Sequence, residues 1–266
     1  MKKTLLIIGV FILSQVLAGI VAVIVAIIRL HSQGKAFSAD FEQCSSEILI
    51  ALMVSEIIII IATILICRKG FKAPFRWSIS FGKGLAVVVL SIVGFSALVV
   101  LTEALAEWLS LPDYMEETFK VASLSSLSLW AMAVVGPISE EIAFRYGIAG
   151  SLMESTKMSK WLVVLISALL FSLLHMNPAQ MLTAFILGLF LGWLYVITLS
   201  IWPCIICHVA NNAVSVLLMR KSSGEMEDAT LSGMIPDNTW FAVTLCGCAV
   251  VLLLSILALR YCTRKY

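Results

Sequence analysis

The chain has 266 residues, 61% of them hydrophobic and 13% charged, against roughly 25% charged in an ordinary soluble domain. So few polar side chains cannot cover a water-soluble fold of this length, and the bilayer is the expected solvent. A net charge of +2, from 18 Lys and Arg against 16 Asp and Glu, with no Lys/Arg run, sets a nucleic-acid partner aside. In chain order, apolar stretches lie at 4–28, 48–67, 85–101, 121–139, 161–174, 181–199, 201–219 and 240–259. They predict an all-α, polytopic membrane bundle of about eight transmembrane helices, because a helix satisfies its own backbone in lipid, and barrel strands would alternate polar and apolar residues.

The first stretch opens on Lys2 and Lys3 like a signal peptide, with a weak cleavage site near Leu17. It outruns the ~7–15 residues of a signal-peptide core, so an uncleaved span is expected. The chain divides into 1–120, three spans and an acidic loop; 121–219, a core of four spans; and 220–266, a polar loop and a last span. Trp77, Trp108, Trp202 and Trp240 stand near span ends as interface anchors. Seven cysteines, mostly within apolar runs, give no disulfide framework. Cys204-Ile-Ile-Cys207-His208 has the spacing of a haem attachment or half a zinc site, but no second CxxC accompanies it.

Lys and Arg mark the cytoplasmic side. Twelve fall on one side: Lys2, Lys3, Arg68, Lys69, Lys72, Arg76, Lys83, Lys157, Lys160, Arg260, Arg264 and Lys265. Five (Arg29, Lys35, Lys120, Arg220, Lys221) fall on the other, with acids including Asp113, Glu116, Glu117, Glu225, Glu227 and Asp228. With an even span count, both termini are expected in the cytoplasm and the chain in the cell membrane. Arg145 is the one cation left over, within an apolar segment.

An ionisable side chain near the bilayer centre costs about 2.5–3.5 kcal/mol on insertion scales and marks a functional site by default. Glu141 and Arg145, four apart, share a helix face and neutralise each other. Glu140 is turned roughly 100° from Glu141 and roughly 140° from Arg145, and a poorly solvated carboxylate without that counter-ion suits a general base or acid. All three residues also suit a packing network. His208 and Asn212 present two donors on one face, as an oxyanion hole or as a polar clasp between helices requires. Phe171 lies one turn before His175, where its ring can fix the imidazole and exclude water. No Ser or Cys is obviously paired with these groups, which favours activated water over a covalent route.

The order EExxxR, FxxxH, HxxxN on successive apolar helices, spanning Pro137 to Asn212, resembles the CPBP family of intramembrane proteases, the CAAX-processing and bacteriocin-processing or Abi group that includes type II CAAX prenyl endopeptidases. The resemblance implies an eight-helix bundle whose four core helices enclose an intramembrane polar cavity. It makes Glu140 the base that activates water with His175, His208 and Asn212 the oxyanion donors, and Glu141 with Arg145 the support, acting on a membrane-associated peptide or protein. It also brings an older zinc reading with Glu140, His175 and His208 as ligands. Metal-free glutamate chemistry is preferred, because Glu141 already has Arg145 and the HxxxN pair contributes an Asn rather than a further ligand. A non-catalytic immunity or partner-binding protein of the same fold is the alternative; a transporter would show repeats, and none is present.

Three expectations remain. With the fourth span ending at 139, Glu140 lies about 19 residues into an inward-running helix and His175 about 14 into an outward one; for them to meet, Pro137 must break or displace the fourth helix, or the fifth must begin deeper. Gly188-Leu-Phe-Leu-Gly192 reads as a close-packing GxxxG. Glu56 faces either the bundle or the outer interface and is assigned no catalytic role, and the acidic stretch from Glu103 to Lys120 is a solvated connection.

Overall fold

The computed structural model describes residues 2–35, 41–68, 81–155, 157–222, 231–235 and 237–264. Lys69, Lys72, Arg76, Trp77, Glu225, Glu227, Asp228 and Lys265, and the Cys44 side chain, lie outside the described residues. Helices account for the structure: α1 (Lys2–Ser32), α2 (Phe41–Cys67), α3 (Phe81–Trp108), α4 (Glu116–Leu124), α5 (Leu129–Ser155), α6 (Lys160–Leu173), α7 (Pro178–Thr198), α8 (Trp202–Ser222) and α9 (Asn238–Thr263). Six of these (α1, α2, α3, α7, α8, α9) are long and apolar enough to cross a bilayer, and α4 with α5, bent by 113° where they join, forms a broken span or a re-entrant pair that brings the number to as many as seven. The short apolar helix α6 completes the set of about eight, so the predicted apolar stretches are helical, the fourth with a break, and the chain is an integral membrane protein.

Burial follows the membrane pattern, with apolar side chains outward and the polar groups inside. On α9, Val243, Val250, Leu253, Leu254 and Leu257 are all exposed. On α1 the buried stripe includes Ala18, Ala22 and Ala26, small residues one turn apart that let α2 approach closely. α1 pairs with α2, α3 with α9 and α6 with α7; α5 touches α1, α2, α6, α7 and α8, while α3 packs on α7 and α8. Every residue of α5 from Ile142 to Ala149 is buried, Arg145 among them.

The fourth segment corrects the sequence expectation. Its membrane-crossing helix runs from Leu129 to Ser155, not over 121–139, and the break lies at residues 125–128, not at Pro137. Serine chemistry explains the position. Ser125 is extended (φ −67°, ψ 140°), its Oγ accepts from Leu127 N at 3.3 Å, and Ser128 Oγ donates to the carbonyls of Ser123 at 3.0 Å and Ser125 at 2.8 Å. Such side chains compete with the helix for its own backbone groups. Arg220 of α8 locks the corner by donating to the same two carbonyls and to Ser128 Oγ.

Pro137 sits instead inside α5, where the helix widens. The stretches Leu129–Val135 and Ile142–Ala149 are π-wound around the α-helical Gly136–Glu141. With Ser155 and Lys160 at a common end, Glu140 lies fifteen residues from that end on α5, and His175 fifteen residues from it beyond α6. Both therefore sit at a depth of about 22 Å, and the mismatch of the drawn spans disappears.

The GxxxG of α7 packs against α6. A Cβ at Gly188 would lie 3.2 Å from Phe171 Cδ1 and 3.3 Å from Ala168 Cβ, and one at Gly192 would lie 3.1 Å from Val164 Cγ1. Leucine at either glycine should lower stability by about 1–3 kcal/mol through overpacking. Thermal unfolding of the detergent-solubilised chain measures it, with Gly9→Leu, which meets nothing within 4 Å, as the neutral control.

Candidate active site

The site is built on α5. Glu141 and Arg145 are fully buried, with Arg145 Nη1 3.0 Å from Glu141 Oε1 across one turn. The guanidinium also donates from Nη2 to the Gly188 carbonyl at 3.4 Å and stands 4.7 Å from the centre of the Phe171 ring. One cation thus ties α5 to both helices of the α6–α7 pair. Glycine at 188 brings the α7 backbone close enough to be reached.

From α8, His208 closes the other side. Its Nδ1 donates to Glu141 Oε1 at 2.8 Å, and its Nε2 lies 3.5 Å from Glu140 Oε2. A single imidazole therefore stands between the two adjacent carboxylates, joining the buried Glu141–Arg145 pair to Glu140, whose side chain keeps 22% exposure. Spacing along α5 separated Glu140 from Arg145; the link through His208 on another helix was beyond its reach.

His175 lies just past the end of α6. Its Nδ1 donates to the Phe171 carbonyl at 2.9 Å, so in the neutral ring Nε2 is left as the acceptor. Phe171 meets His175 edge-on with ring centres 4.8 Å apart, as expected. It also meets His208 at 5.8 Å and Phe144 at 5.2 Å. One phenyl ring thus sets the orientation of both imidazoles and covers Arg145.

Asn212, one turn after His208, donates from Nδ2 to the Met132 carbonyl at 3.1 Å. The Gly136 N–H reaches back five residues to Ala131, and Pro137 has no N–H to offer. Met132 O is therefore left without its helical donors four and five residues on, and the carboxamide supplies one. The second Nδ2 hydrogen remains for another acceptor.

Glu140, His175, His208, Asn212 and Phe171 all line one cavity of about 460 Å³. Glu56, which the sequence reading left between bundle and interface, is buried on its wall, with Oε1 accepting from Gln15 Nε2 at 2.6 Å. Glu103 and Asp113 line it as well, Asp113 held by Asn177 Nδ2 at 2.8 Å; no Lys or Arg does. The only hint of this in the sequence was a Glu in an apolar span and an acidic stretch, and neither shows which cavity it faces. Among the described residues no three His, Cys, Asp or Glu side chains converge at metal-ligand spacing, so the set Glu140, His175 and His208 does not fit zinc as arranged. Cys204 and Cys207 are buried thiols, Cys204 Sγ donating to the Leu191 carbonyl at 3.3 Å.

Removing one member of a buried ion pair leaves the other charge unpaired. Arg145→Ala should cost about 3–5 kcal/mol, whereas Lys3→Ala, at the exposed pair with Glu154, should cost under about 1 kcal/mol. Equal losses in unfolding measurements would refute the buried pair's structural role. Asn212→Ala should cost about 1–3 kcal/mol in the parent chain, and clearly less once Pro137→Ala has restored an N–H. The same cost in both backgrounds would mean that Asn212 does not serve the Pro137 gap.

Comparison with known proteins bears on the same segment. Residues 122–214 match the family described as Type II CAAX prenyl endopeptidase Rce1-like. The chain is 34% identical over 92 residues to "Putative membrane peptidase YdiL" of Bacillus subtilis (strain 168), a match covering 35% of this chain and 37% of that protein. The aligned part is thus little more than a third of the relative's length. No solved structure matches the chain at a comparable level. Glu140, Glu141, Arg145, Phe171, His175, His208 and Asn212 all lie inside the matched segment, so the residues that build the cavity are those in which this chain is similar to the type II CAAX prenyl endopeptidase Rce1-like family.

Proposed function

We propose that the chain is an intramembrane endopeptidase that hydrolyses a peptide bond in a membrane-associated peptide or protein, using water activated by Glu140 and His175. The observation that carries this reading is the convergence of Glu140, His175, His208 and Asn212 on one cavity, beside a buried pair that fixes His208. Glu140 is the part-exposed carboxylate of the two, free of Arg145, and it takes the proton as water oxygen attacks the carbonyl carbon. His175, with Nδ1 committed to the Phe171 carbonyl, orients that water through Nε2. The carbonyl oxygen becomes an oxyanion, stabilised by the second Nδ2 hydrogen of Asn212 and by His208, which Glu141 holds in place. The C–N bond then breaks, and the proton held at Glu140 passes to the leaving amine.

This route uses Glu140, His175, His208 and Asn212 without zinc. The acidic walls contributed by Glu56, Glu103 and Asp113 favour a cationic substrate segment over an acidic one. Both termini are read as cytoplasmic and the chain as lying in the cell membrane, a reading supported by the distribution of Lys and Arg.

Glu140→Gln keeps the side chain's size and removes the base. Purified variant should unfold at the parent temperature and lose cleavage of a reporter membrane peptide by at least about 100-fold. Undiminished cleavage would sink the mechanism. Retention of a protective phenotype in cells by the inactive variant would instead support the non-catalytic immunity or partner-binding role. Activity unchanged across a chelator series, with no zinc in the purified chain, is the expected outcome of metal-free chemistry.

A further inference from the structure

A second cavity, of about 400 Å³, lies at the other end of the bundle, where α6 begins and α7 and α9 end. Along α7 the catalytic cavity is lined from Gln180 to Leu191 and this one from Trp193 to Leu199, so the two occupy successive parts of the same helix and share no lining residue. Its floor is apolar, including Val196 and Ile197, and Trp161 stands at its edge, 61% exposed. Lys160, Arg260 and Arg264 also line it, with no Asp or Glu among its lining residues. None of the three has an ion-pair partner among the described residues.

Three exposed cations with no ion-pair partner among the described residues, from the start of α6 and the end of α9, surround one apolar recess and give it a positive potential that favours an anion there. Helix ends are where lipid headgroups lie, and Trp161 is the residue type that settles at that level. Val164, Trp193, Val196, Ile197 and Leu199 supply apolar lining beside the cations. A phosphate joined to hydrocarbon satisfies the cations and the apolar floor together, whereas a free phosphate ion would satisfy the cations alone.

We propose that this cavity is a binding site for an anionic phospholipid, its headgroup phosphate held by Lys160, Arg260 and Arg264 and an acyl chain laid along Val196 and Ile197. The site seats a lipid at the junction of α6, α7 and α9, away from the catalytic cavity.

Native mass spectrometry of the full detergent-solubilised chain, titrated separately with phosphatidylglycerol, phosphatidylcholine and inorganic phosphate, tests it. Phosphatidylglycerol should be retained about ten-fold more tightly than phosphatidylcholine, inorganic phosphate should not be retained, and the Arg260→Gln, Arg264→Gln double variant should lose about ten-fold of the preference. Retention of inorganic phosphate as tightly as the lipid would make this an ion site and overturn the proposal. So would a phosphatidylglycerol preference unchanged in the variant. If the double variant does not fold, Lys160→Gln, at the exposed first residue of α6, gives the same comparison: a weakened preference supports the site and an unchanged one refutes it.

Discussion

The Arg145 guanidinium, fully buried between Glu141, the Gly188 carbonyl and the face of Phe171, is the charge around which four helices are fitted. A lone cation at that depth would be expelled or neutralised, so its presence obliges the chain to supply a carboxylate one turn away and an acceptor across the helix interface. The carboxylate then has lone pairs to spare, and His208 takes one of them. A requirement of electrostatics within one helix thereby fixes the imidazole of another. The imidazole in turn lies against Glu140, which keeps access to the cavity because Arg145 is committed to its neighbour.

Pro137 imposes a second constraint on the same helix. A proline in a regular α-helix removes a hydrogen bond and strains the preceding turn. Here the preceding turn is π-wound, the Gly136 N–H drops back to Ala131, and the exposed Met132 carbonyl is met by Asn212. Widening a helix displaces the side chains that follow it, so the pair Glu140 and Glu141 is presented at an angle an unbroken α-helix would not give. Asn212 thus holds α8 against α5 one turn beyond His208, and the two polar residues of α8 are registered on α5 by two different defects, a buried charge and a missing N–H.

Much of this was readable from the chain. Eight apolar stretches, the i, i+4 pairing of Glu141 with Arg145, the contact of Phe171 with His175 and the close packing at Gly188 and Gly192 all follow from local periodicity, and local periodicity is what a sequence carries. The bend at Ser125 to Ser128 was missed because hydropathy averages over a window and three small serines barely lower it; their effect is on backbone hydrogen bonding. Placing the span eight residues too early at its start moved Glu140 from mid-helix to a helix end. The bridge from Glu141 through His208 to Glu140, the reach of Phe171 to both imidazoles, and Glu56 on the cavity wall depend on how helices distant in sequence are rotated against each other. No spacing rule within one helix encodes that.

The two cavities show how the scarce charge of the chain is used. Carboxylates line the recess that holds the reactive groups, without a Lys or Arg among its lining residues, and cations line the recess at the far end, without an Asp or Glu. The cations are exposed and screened by water, so their grouping costs little. What the separation does is give each recess a potential of one sign, which favours a cationic segment at the acidic end and an anionic headgroup at the other. Because α7 runs from one recess to the other and α6 carries Phe171 near one end and Lys160 at the opposite end, occupation of the basic recess bears on the same helix pair that orients His175.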